Sequence, residues 1–126
     1  MFNPVDFHAL SKEILTHATT YEEALRRTQI SRCYYAAHLV AREKVRRYYP
    51  SLLMDLKRLG DEHFLVREKL AASVIHWGIS SMLLGLNQRR AKADYNLNAV
   101  VTKAEAEKAI EESEAIIAQV ANIKSL

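Results

Sequence analysis

Three side chains in the first half of the sequence have the chemistry and the spacing of a phosphate-handling site. Arg32, Tyr35 and His38 are three residues apart, so on a helix, where each residue turns by about 100°, they form one oblique ridge. Arg42 lies one turn beyond His38 on the same side. A guanidinium binds a phosphate, a phenol stacks on a base and an imidazole transfers a proton. This ridge is a candidate site for nucleic-acid chemistry.

A second group of candidate residues lies near position 90. Arg90 and Asp94 are four residues apart and can pair on one helical face, and Tyr95 follows directly. If exposed, the pair is a helix-end ion pair that contributes little, whereas on a buried face Asp94 could instead reach Arg32 and fix its orientation. The first ridge also has a purely structural interpretation, with Tyr34 and Tyr35 as core aromatics and Arg32 buried against an acidic partner such as Asp94.

The positive charge of the chain is concentrated around the first candidate site. The net charge is +3, from 18 basic and 15 acidic residues among 126. Residues 21–49 contain seven basic and three acidic residues, a local net charge of +4. Such a stripe either binds a polyanion or is a solvated helix face whose arginine stems lie on the core. The sequence leaves both interpretations open.

Other common kinds of site have no signal in the sequence. None of the five histidines pairs with another at the three- or four-residue spacing of a helical metal site, and Asp61-Glu62-His63 is better explained as a helix start. There is no glycine-rich phosphate loop and no recognisable Ser-His-Asp arrangement. We therefore expect no metal and no cofactor. Cys33, the single cysteine, is expected to be a small buried hydrophobe.

Composition predicts one domain, residues 1–126, in the cytoplasm. Apolar residues make up 49% of the chain and charged residues 26%, which allows a core. A single cysteine cannot form an internal disulfide and suits a reducing compartment. The first residues do not resemble a signal peptide, and no apolar run approaches the roughly 20 residues that span a bilayer. We expect no membrane partner.

With 3 Gly and 2 Pro, the sequence predicts an all-α bundle of about five helices, two of them long. Asn3 is the expected N-cap of the first helix, and capping boxes at Thr20–Glu23 and Thr102–Glu105 are expected to open the second and the last. Helices are predicted from Pro4 to His17, Tyr21 to Tyr49, Leu52 to Leu59, Glu62 to Ser73, Ile75 to Ala93, and from Lys103 onward. Gly60 is expected to end the short one, and Asp61 to cap the next.

Apolar or small residues at helical spacing predict which side chains face inward. In the second helix these are Ala24, Thr28, Ser31, Tyr34, Tyr35, His38, Ala41 and Val45. Elsewhere they include Phe7, Leu10, Ile14, Leu15, Phe64, Val66 (or Leu65), Leu70, Ile79, Met82, Leu83, Leu86, Ala106, Ala109, Ile110, Ser113, Ile116, Ile117, Val120 and Ile123. Gly78 and Gly85 suggest close contacts between helices.

The chain resembles a HEPN domain (higher eukaryotes and prokaryotes nucleotide-binding) of the small prokaryotic kind found beside minimal nucleotidyltransferases. The residues that carry the resemblance are Ser31-Arg32-Cys33-Tyr34-Tyr35-Ala36-Ala37 and Arg90-Ala91-Lys92-Ala93-Asp94-Tyr95. The last helix, from Thr102-Lys103-Ala104-Glu105-Ala106, follows the same pattern. Together these segments extend over residues 20–123.

The resemblance implies a helical bundle that forms a homodimer. It also implies a metal-independent endoribonuclease that is the toxin of a toxin–antitoxin or phage-defence module. The family motif is an arginine followed after four to six residues by a histidine, which Arg32 and His38 match with five between them. Arg32 would hold the scissile phosphate of RNA in a cleft shared by two copies, and His38 would act as general acid or base during attack by the ribose 2′-hydroxyl. Tyr35, Arg42, Arg90, Asp94 and Tyr95 would support the site or bind RNA.

The sequence departs from the family at one position. In many relatives with this Tyr-Tyr-Ala pattern the histidine falls one residue later, where this chain has Leu39. One alternative is therefore a non-catalytic HEPN module that binds a nucleotide or a nucleotidyltransferase partner. Another is a helical adaptor with no role in nucleic-acid binding.

Overall fold

The computed structural model describes residues 1–17, 21–52 and 59–126, which form five helices and no strand. The helices are α1 (Val5–His17), α2 (Glu22–Tyr48), α3 (Leu59–Ala71), α4 (Trp77–Tyr95) and α5 (Lys103–Ala121). The prediction of an all-α chain with about five helices is confirmed. Within these described ranges, none of the helices has the length and apolar character needed to cross a membrane.

The central helix is α2, which packs against each of the other four. Ten of its side chains are buried: Gln29, Ile30, Ser31, Cys33, Tyr34, Ala36, Ala37, His38, Ala41 and Val45. The predicted inward stripe is therefore confirmed from Ser31 to Val45, with Tyr35 half-buried. Ala24 and Thr28 are exposed instead, because they line an open groove beside the end of α4.

The start of α2 differs from the prediction. Thr20 lies outside the described residues, and the N-cap is Tyr21, whose φ of 55° is in the left-handed region. The Glu23 carboxylate accepts hydrogen bonds from the backbone N–H of Val101 (3.2 Å) and from the side chain of Arg27 (3.3 Å). Glu23 therefore ties α2 to the segment that precedes α5.

Arg27 fastens α2 to the end of α4. Its guanidinium donates hydrogen bonds to the backbone oxygens of Ala93 (2.9 Å) and Asn96 (3.1 Å), and also to those of Lys92 and Ala99. The last carbonyls of a helix have no partner within the helix, and a cation there also meets the negative end of the helix dipole. This arginine is a cap for α4.

Hydrogen bonds at the centre of α1 attach this helix to α2. The Oγ of Ser11 donates to the backbone oxygen of Gln29 (3.3 Å), and Nε2 of Gln29 donates to the backbone oxygen of Ser11 (2.9 Å). His8 is buried beside them, whereas Leu10, predicted to face inward, is exposed. The packed face of α1 is centred on Ser11, so Leu10, about 100° away, lies outside it.

The N-terminal cap of α1 agrees with the prediction. The Asn3 side-chain oxygen accepts a hydrogen bond from the backbone N–H of Val5 at 3.2 Å. This is the bond expected of an N-cap residue, because the first backbone N–H groups of a helix have no partner within it.

The helix starts around position 60 are the clearest correction to the sequence analysis. Residues 53–58 of the predicted helix Leu52–Leu59 lie outside the described structure. Gly60, expected to end that helix, lies in the first turn of α3, which begins at Leu59. Asp61 also lies in that turn rather than before it, where its negative charge favours the helix N-terminus through the dipole.

Two further details of α3 and α4 were wrong. Phe64, expected to face inward, is exposed, while Val66 and Leu70 are buried. Val66 is two positions after Phe64, a rotation of about 200°, so the two side chains lie on opposite faces of α3. The α4 helix begins at Trp77 and ends at Tyr95, each two residues later than predicted.

The last helix agrees with its prediction. The Thr102 side chain accepts a hydrogen bond from the Glu105 N–H, and the Glu105 carboxylate accepts one from the Thr102 N–H at 2.8 Å, so the capping box is present. Six of the predicted inward residues are buried: Ala106, Ala109, Ser113, Ile116, Val120 and Ile123. Ile110 and Ile117 are half-buried.

The capping box yields a stability prediction. Replacing Thr102 with Ala leaves a backbone N–H of α5 without its partner, so we expect a loss of about 1 kcal/mol in the free energy of unfolding. Thr28→Ala is the matched control, because Thr28 is an exposed threonine inside α2 and alanine favours a helix. Urea denaturation measures both, and equal midpoints for the two variants would contradict the capping role.

Candidate functional site

Two guanidinium groups lie against the ring of Tyr35 in the middle of α2. The Cζ atoms of Arg32 and Arg90 are 5.1 and 5.8 Å from the centre of that ring. Arg32 also lies over the ring of Phe7, from α1, at 5.0 Å. A cation within about 6 Å of an aromatic face is attracted by the ring quadrupole. Helices α1, α2 and α4 therefore position the two arginines together.

Asp94 connects the two arginines. Its Oδ2 lies 3.6 Å from Nη1 of Arg90 and accepts a hydrogen bond from Oγ of Ser31 at 3.3 Å. The same Ser31 oxygen accepts a hydrogen bond from Nη2 of Arg32 at 3.4 Å. Both contacts that the sequence left open for Asp94 are present, one directly to Arg90 and the other to Arg32 through Ser31.

Tyr95 lies at the outer edge of this group. It is 72% exposed, and the Cζ of Arg90 is 5.8 Å from the centre of its ring. Arg90 also donates a hydrogen bond to Oδ1 of Asn87 at 2.7 Å, so its guanidinium is held from two sides. The term arginine–aromatic surface denotes Arg32, Tyr35, Arg90, Asp94 and Tyr95.

An open groove of about 410 Å³ lies beside this surface. It is lined by Ala24, Arg27, Thr28, Ser31, Arg32, Ala93 and Asp94. Arg27 is occupied by Glu23 and by backbone oxygens, as described above. Among the described residues, Arg32 has no carboxylate within ion-pair distance, so it is the cation in this groove that remains available to an anion.

In the structure, more than half of the basic side chains between residues 21 and 49 are paired with carboxylates. Four of the seven basic side chains in this stripe are in ion pairs, namely Arg26–Glu22, Arg27–Glu23, Arg42–Glu62 and Arg46–Glu43. Most of the stripe is thus an ion-paired helix face, and among the described residues Arg32, Lys44 and Arg47 are the basic side chains of the stripe without an ion pair.

His38 lies in the interior of the chain. It is 1% exposed, and its Nε2 is 3.2 Å from Oε1 of Glu62 on α3. The same Glu62 oxygen is 3.3 Å from Nε of Arg42. Because a carboxylate accepts hydrogen bonds, the neutral imidazole carries its proton on Nε2. His38 is therefore shielded from solvent within one chain, and its catalytic role stays a prediction.

His63, which the sequence analysis did not select, stacks on His38 with ring centres 4.0 Å apart. Its Nδ1 is hydrogen-bonded to the hydroxyl of Tyr34. Tyr34 is fully buried, and its ring centre is 5.2 Å from the Cζ of Arg90. The term histidine cluster denotes Tyr34, His38, Glu62 and His63. Arg90 joins this cluster to the arginine–aromatic surface.

All seven predicted site residues therefore belong to one connected set, with Arg42 attached through Glu62. A sequence signal for Glu62 and His63 exists in the helical period. Both share a face of α3 with Val66 and Leu70, which were correctly predicted to face inward. The same residues also fit an acidic helix start, which is present in α3, and the prediction used that interpretation alone.

Burial sets the protonation of the histidine cluster. It lowers the pKa of His38 to about 4, and the guanidinium groups of Arg42, Arg67 and Arg90 act in the same direction. Burial and the neighbouring His38 ring lower the pKa of His63 to about 4, and burial raises the pKa of Tyr34. At neutral pH both imidazoles are neutral, and one hydrogen bond joins the Tyr34 hydroxyl to Nδ1 of His63.

The described residues show no cluster of metal ligands, and their one cysteine is a buried thiol. In residues 1–17, 21–52 and 59–126, no three His, Cys, Asp or Glu side chains come together as a metal site would require. Burial raises the pKa of the Cys33 thiol to about 11, which keeps it protonated and confirms its interpretation as a small core residue.

Comparisons with known proteins add no identification: no family model, curated protein or solved structure matches this chain. The resemblance to HEPN domains therefore depends on the motif residues themselves.

The lowered histidine pKa values predict the pH dependence of stability. We expect the free energy of unfolding to fall as the pH decreases from about 6.5 to about 4, because unfolded histidines bind protons that folded His38 and His63 do not. Above that window both are neutral in either state. His38→Asn removes one such group, so its slope should be shallower by up to about 1.4 kcal/mol per pH unit.

Urea unfolding at intervals between pH 7 and pH 4.5 measures these slopes. Tyr34→Phe is the control, because it removes the hydrogen bond to His63 but keeps both imidazoles and should retain most of the slope. An unchanged slope in His38→Asn would show that His38 does not titrate differently in the folded and unfolded states.

Proposed function

We propose that the protein binds single-stranded RNA through the arginine–aromatic surface, as a HEPN-like module. The observation that carries this proposal is the environment of Arg32. Its guanidinium lies against two aromatic rings, has no carboxylate partner among the described residues, and lines an open groove. A guanidinium held in place before binding loses little conformational freedom when it meets a phosphate.

The neighbours of Arg32 suit the other parts of a nucleotide. Tyr95 is mostly exposed and offers a face on which a base can stack. Ser31 and Asp94 supply oxygen atoms that can hydrogen-bond a ribose 2′-hydroxyl, the group that distinguishes RNA from DNA. The groove volume of about 410 Å³ falls within the range typical of small-ligand sites, roughly 300 to 1,000 Å³.

Binding is favoured over catalysis because of the position of His38. A general acid or base must come within hydrogen-bond reach of the atom that gains or loses the proton. Glu62 and His63 of α3 cover His38, and its lowered pKa keeps the imidazole uncharged at neutral pH, so the ring is a poor general acid there. RNA on the arginine–aromatic surface reaches His38 only if α3 moves away.

A metal-independent endoribonuclease is the second candidate, and the histidine cluster supports it. Strongly shifted pKa values beside several cations are common at catalytic sites, and His63, half-buried, is a further proton-transfer group that the motif does not include. In this candidate the protein is the toxin of a toxin–antitoxin or phage-defence module, paired with a nucleotidyltransferase antitoxin, as the resemblance implies.

The binding proposal predicts the effect of removing Arg32. We expect Arg32→Ala to weaken binding of a short single-stranded RNA at least tenfold and to reduce the slope of log affinity against log salt by about one, because one phosphate contact is lost. Arg32→Lys should keep the salt slope but lose part of the affinity, since a lysine cannot reproduce the planar contact. Fluorescence anisotropy over a salt series measures both quantities.

Arg46→Ala is the matched control for these variants. Arg46 lies on the same helix as Arg32, and its replacement by alanine removes the same charge, but Arg46 is paired with Glu43. The affinity of Arg46→Ala for the RNA should stay within about twofold of that of the unmodified protein, as expected for an ion-paired surface charge. Equal losses of RNA affinity in Arg32→Ala and Arg46→Ala would show that RNA is held only by general charge attraction. An RNA affinity that does not change in Arg32→Ala would contradict binding at the arginine–aromatic surface.

Cleavage separates the two candidates. The ribonuclease candidate predicts that RNA incubated with the protein in EDTA is cut to leave 2′,3′-cyclic phosphate ends, and that His38→Asn stops the cutting while anisotropy still reports binding. Bound RNA that stays intact favours the non-catalytic module. Cutting that persists in His38→Asn and stops in His63→Asn would transfer the proton-transfer role to His63.

A further inference from the structure

A second groove, of about 520 Å³, lies between the start of α1 and the ends of α2 and α5. It is lined mainly by residues 1–5, by Val40, Lys44 and Arg47 of α2, and by Val120 and Ala121 of α5. Its volume is in the range of small-molecule sites. The groove shares no residue with the arginine–aromatic surface or with the groove beside it, so it is a separate feature of the chain.

Most of the wall of this groove is apolar. Val120, which is fully buried, and Val40, which packs against the core, form one part of it. Phe2 and Val5 form another part, although they are 58% and 37% exposed. The Phe2 ring packs edge-to-face on Phe7 with ring centres 5.0 Å apart, which holds it in place. A ligand that covers these side chains removes apolar surface from water, which favours binding.

Two cations lie at one end of the groove. Val40, Lys44 and Arg47 follow one line along α2, and the two cations belong to its last two turns. Among the described residues, neither cation has a carboxylate within ion-pair distance. The Lys44 ammonium donates one long hydrogen bond, of 3.5 Å, to the backbone oxygen of Ile123, which occupies one of its three donors. An anion at this end of the groove therefore meets two positive charges.

The oxygen atoms of the other polar side chains in the lining already have partners. Oδ1 of Asn3 accepts the hydrogen bond from the Val5 N–H, and the Glu43 carboxylate accepts one from Nη2 of Arg46 at 2.9 Å. Polar contacts for a ligand are therefore concentrated at the two cations. This combination fits a molecule that is apolar along its length and anionic at one end.

We propose that the groove binds a single-chain amphipathic carboxylate of the fatty-acid type. Its carboxylate accepts hydrogen bonds from Lys44 and Arg47, whose guanidinium can hold both oxygen atoms. Its alkyl chain extends toward Val40 and covers Phe2 and Val5. The ligand and the residues differ from those of the proposed RNA site, so either proposal can fail without the other.

The lining favours this ligand over a nucleic acid. Single-stranded RNA carries a charge at every nucleotide and stacks its bases on aromatic faces. The wall of this groove is mostly aliphatic, with Phe2 as its one aromatic ring, and it includes the carboxylate of Glu43, which repels a second anionic group. One anionic end and an apolar chain match the lining better than a polyanion does.

Calorimetric titration with octanoate, decanoate and dodecanoate tests the apolar part of the site. Each ligand is kept below its critical micelle concentration, so that single chains and not a lipid surface are titrated. We expect saturable binding whose Kd falls by up to about fourfold for each added CH₂ group that the groove buries. Decyltrimethylammonium, which has the same chain as decanoate but the opposite charge, should bind at least tenfold more weakly, because the two cations repel it.

Removal of the two cations tests the charged end. Lys44→Gln/Arg47→Gln should weaken dodecanoate binding at least tenfold, because the carboxylate loses both charged partners. Arg26→Gln/Arg46→Gln is the matched control, since it removes two ion-paired charges of α2 that do not line the groove. The affinity of this control for dodecanoate should stay within about twofold of that of the unmodified protein.

Filling the groove tests its position. Ala121 lines the groove and is exposed, so Ala121→Trp should leave circular dichroism unchanged and prevent dodecanoate binding. Ala118→Trp, exposed on the same helix but outside the groove, should bind dodecanoate as the unmodified protein does.

Four results would overturn the proposal. They are no saturable binding of dodecanoate, an affinity that does not depend on chain length, equal losses in the two double variants, and equal binding by Ala121→Trp and Ala118→Trp. Displacement of dodecanoate by a short RNA that binds equally well to Arg32→Ala would assign the groove to nucleic acid and would also contradict the proposal.

Discussion

The packing of α2 against the other four helices is the constraint on which the rest of the structure depends. One face of its middle turns is shielded from water, so the polar side chains buried on that face are held by partners inside the chain. Gln29 meets Ser11 of α1, His38 meets Glu62 of α3, and the Cys33 backbone oxygen accepts a hydrogen bond from Ser113 of α5 at 3.0 Å. Directional bonds therefore fix three of the surrounding helices, in addition to apolar packing.

The arginines on α2 divide into structural and available ones for the same reason. Arg27 lies where α4 ends, and its donors are occupied by carbonyl oxygens that would otherwise lack partners. Arg32, five residues later, lies where α1, α2 and α4 meet, and it contacts aromatic faces instead of a carboxylate. The aromatic contacts orient its guanidinium without neutralising it, which is the state that an anion-binding group requires.

The histidine cluster is largely buried, whereas the arginine–aromatic surface is partly exposed, and Arg90 contacts both. One side of that guanidinium contacts the buried Tyr34 and the other contacts Tyr95 at the surface. Arg90 lies with Arg32 against the ring of Tyr35, and it adds to the effect of burial, which lowers the pKa of both cluster histidines. The cover over His38 consists of Glu62 and His63, so the position of α3 decides whether the ring can meet a substrate.

The sequence by itself determined the helical class, the inward stripe of α2 from Ser31 to Val45 and the capping box at Thr102, because these follow from local spacing and from hydrogen bonds between neighbours. It also predicted seven candidate site residues, which the structure places in one connected set, with Arg42 attached through Glu62. Only the tertiary structure decided that Phe64 faces outward and His63 inward, and that Arg27 is occupied whereas Arg32 is available. Periodicity shows that a helix has a covered face, but the packing of distant helices selects which face is covered and which charges find partners.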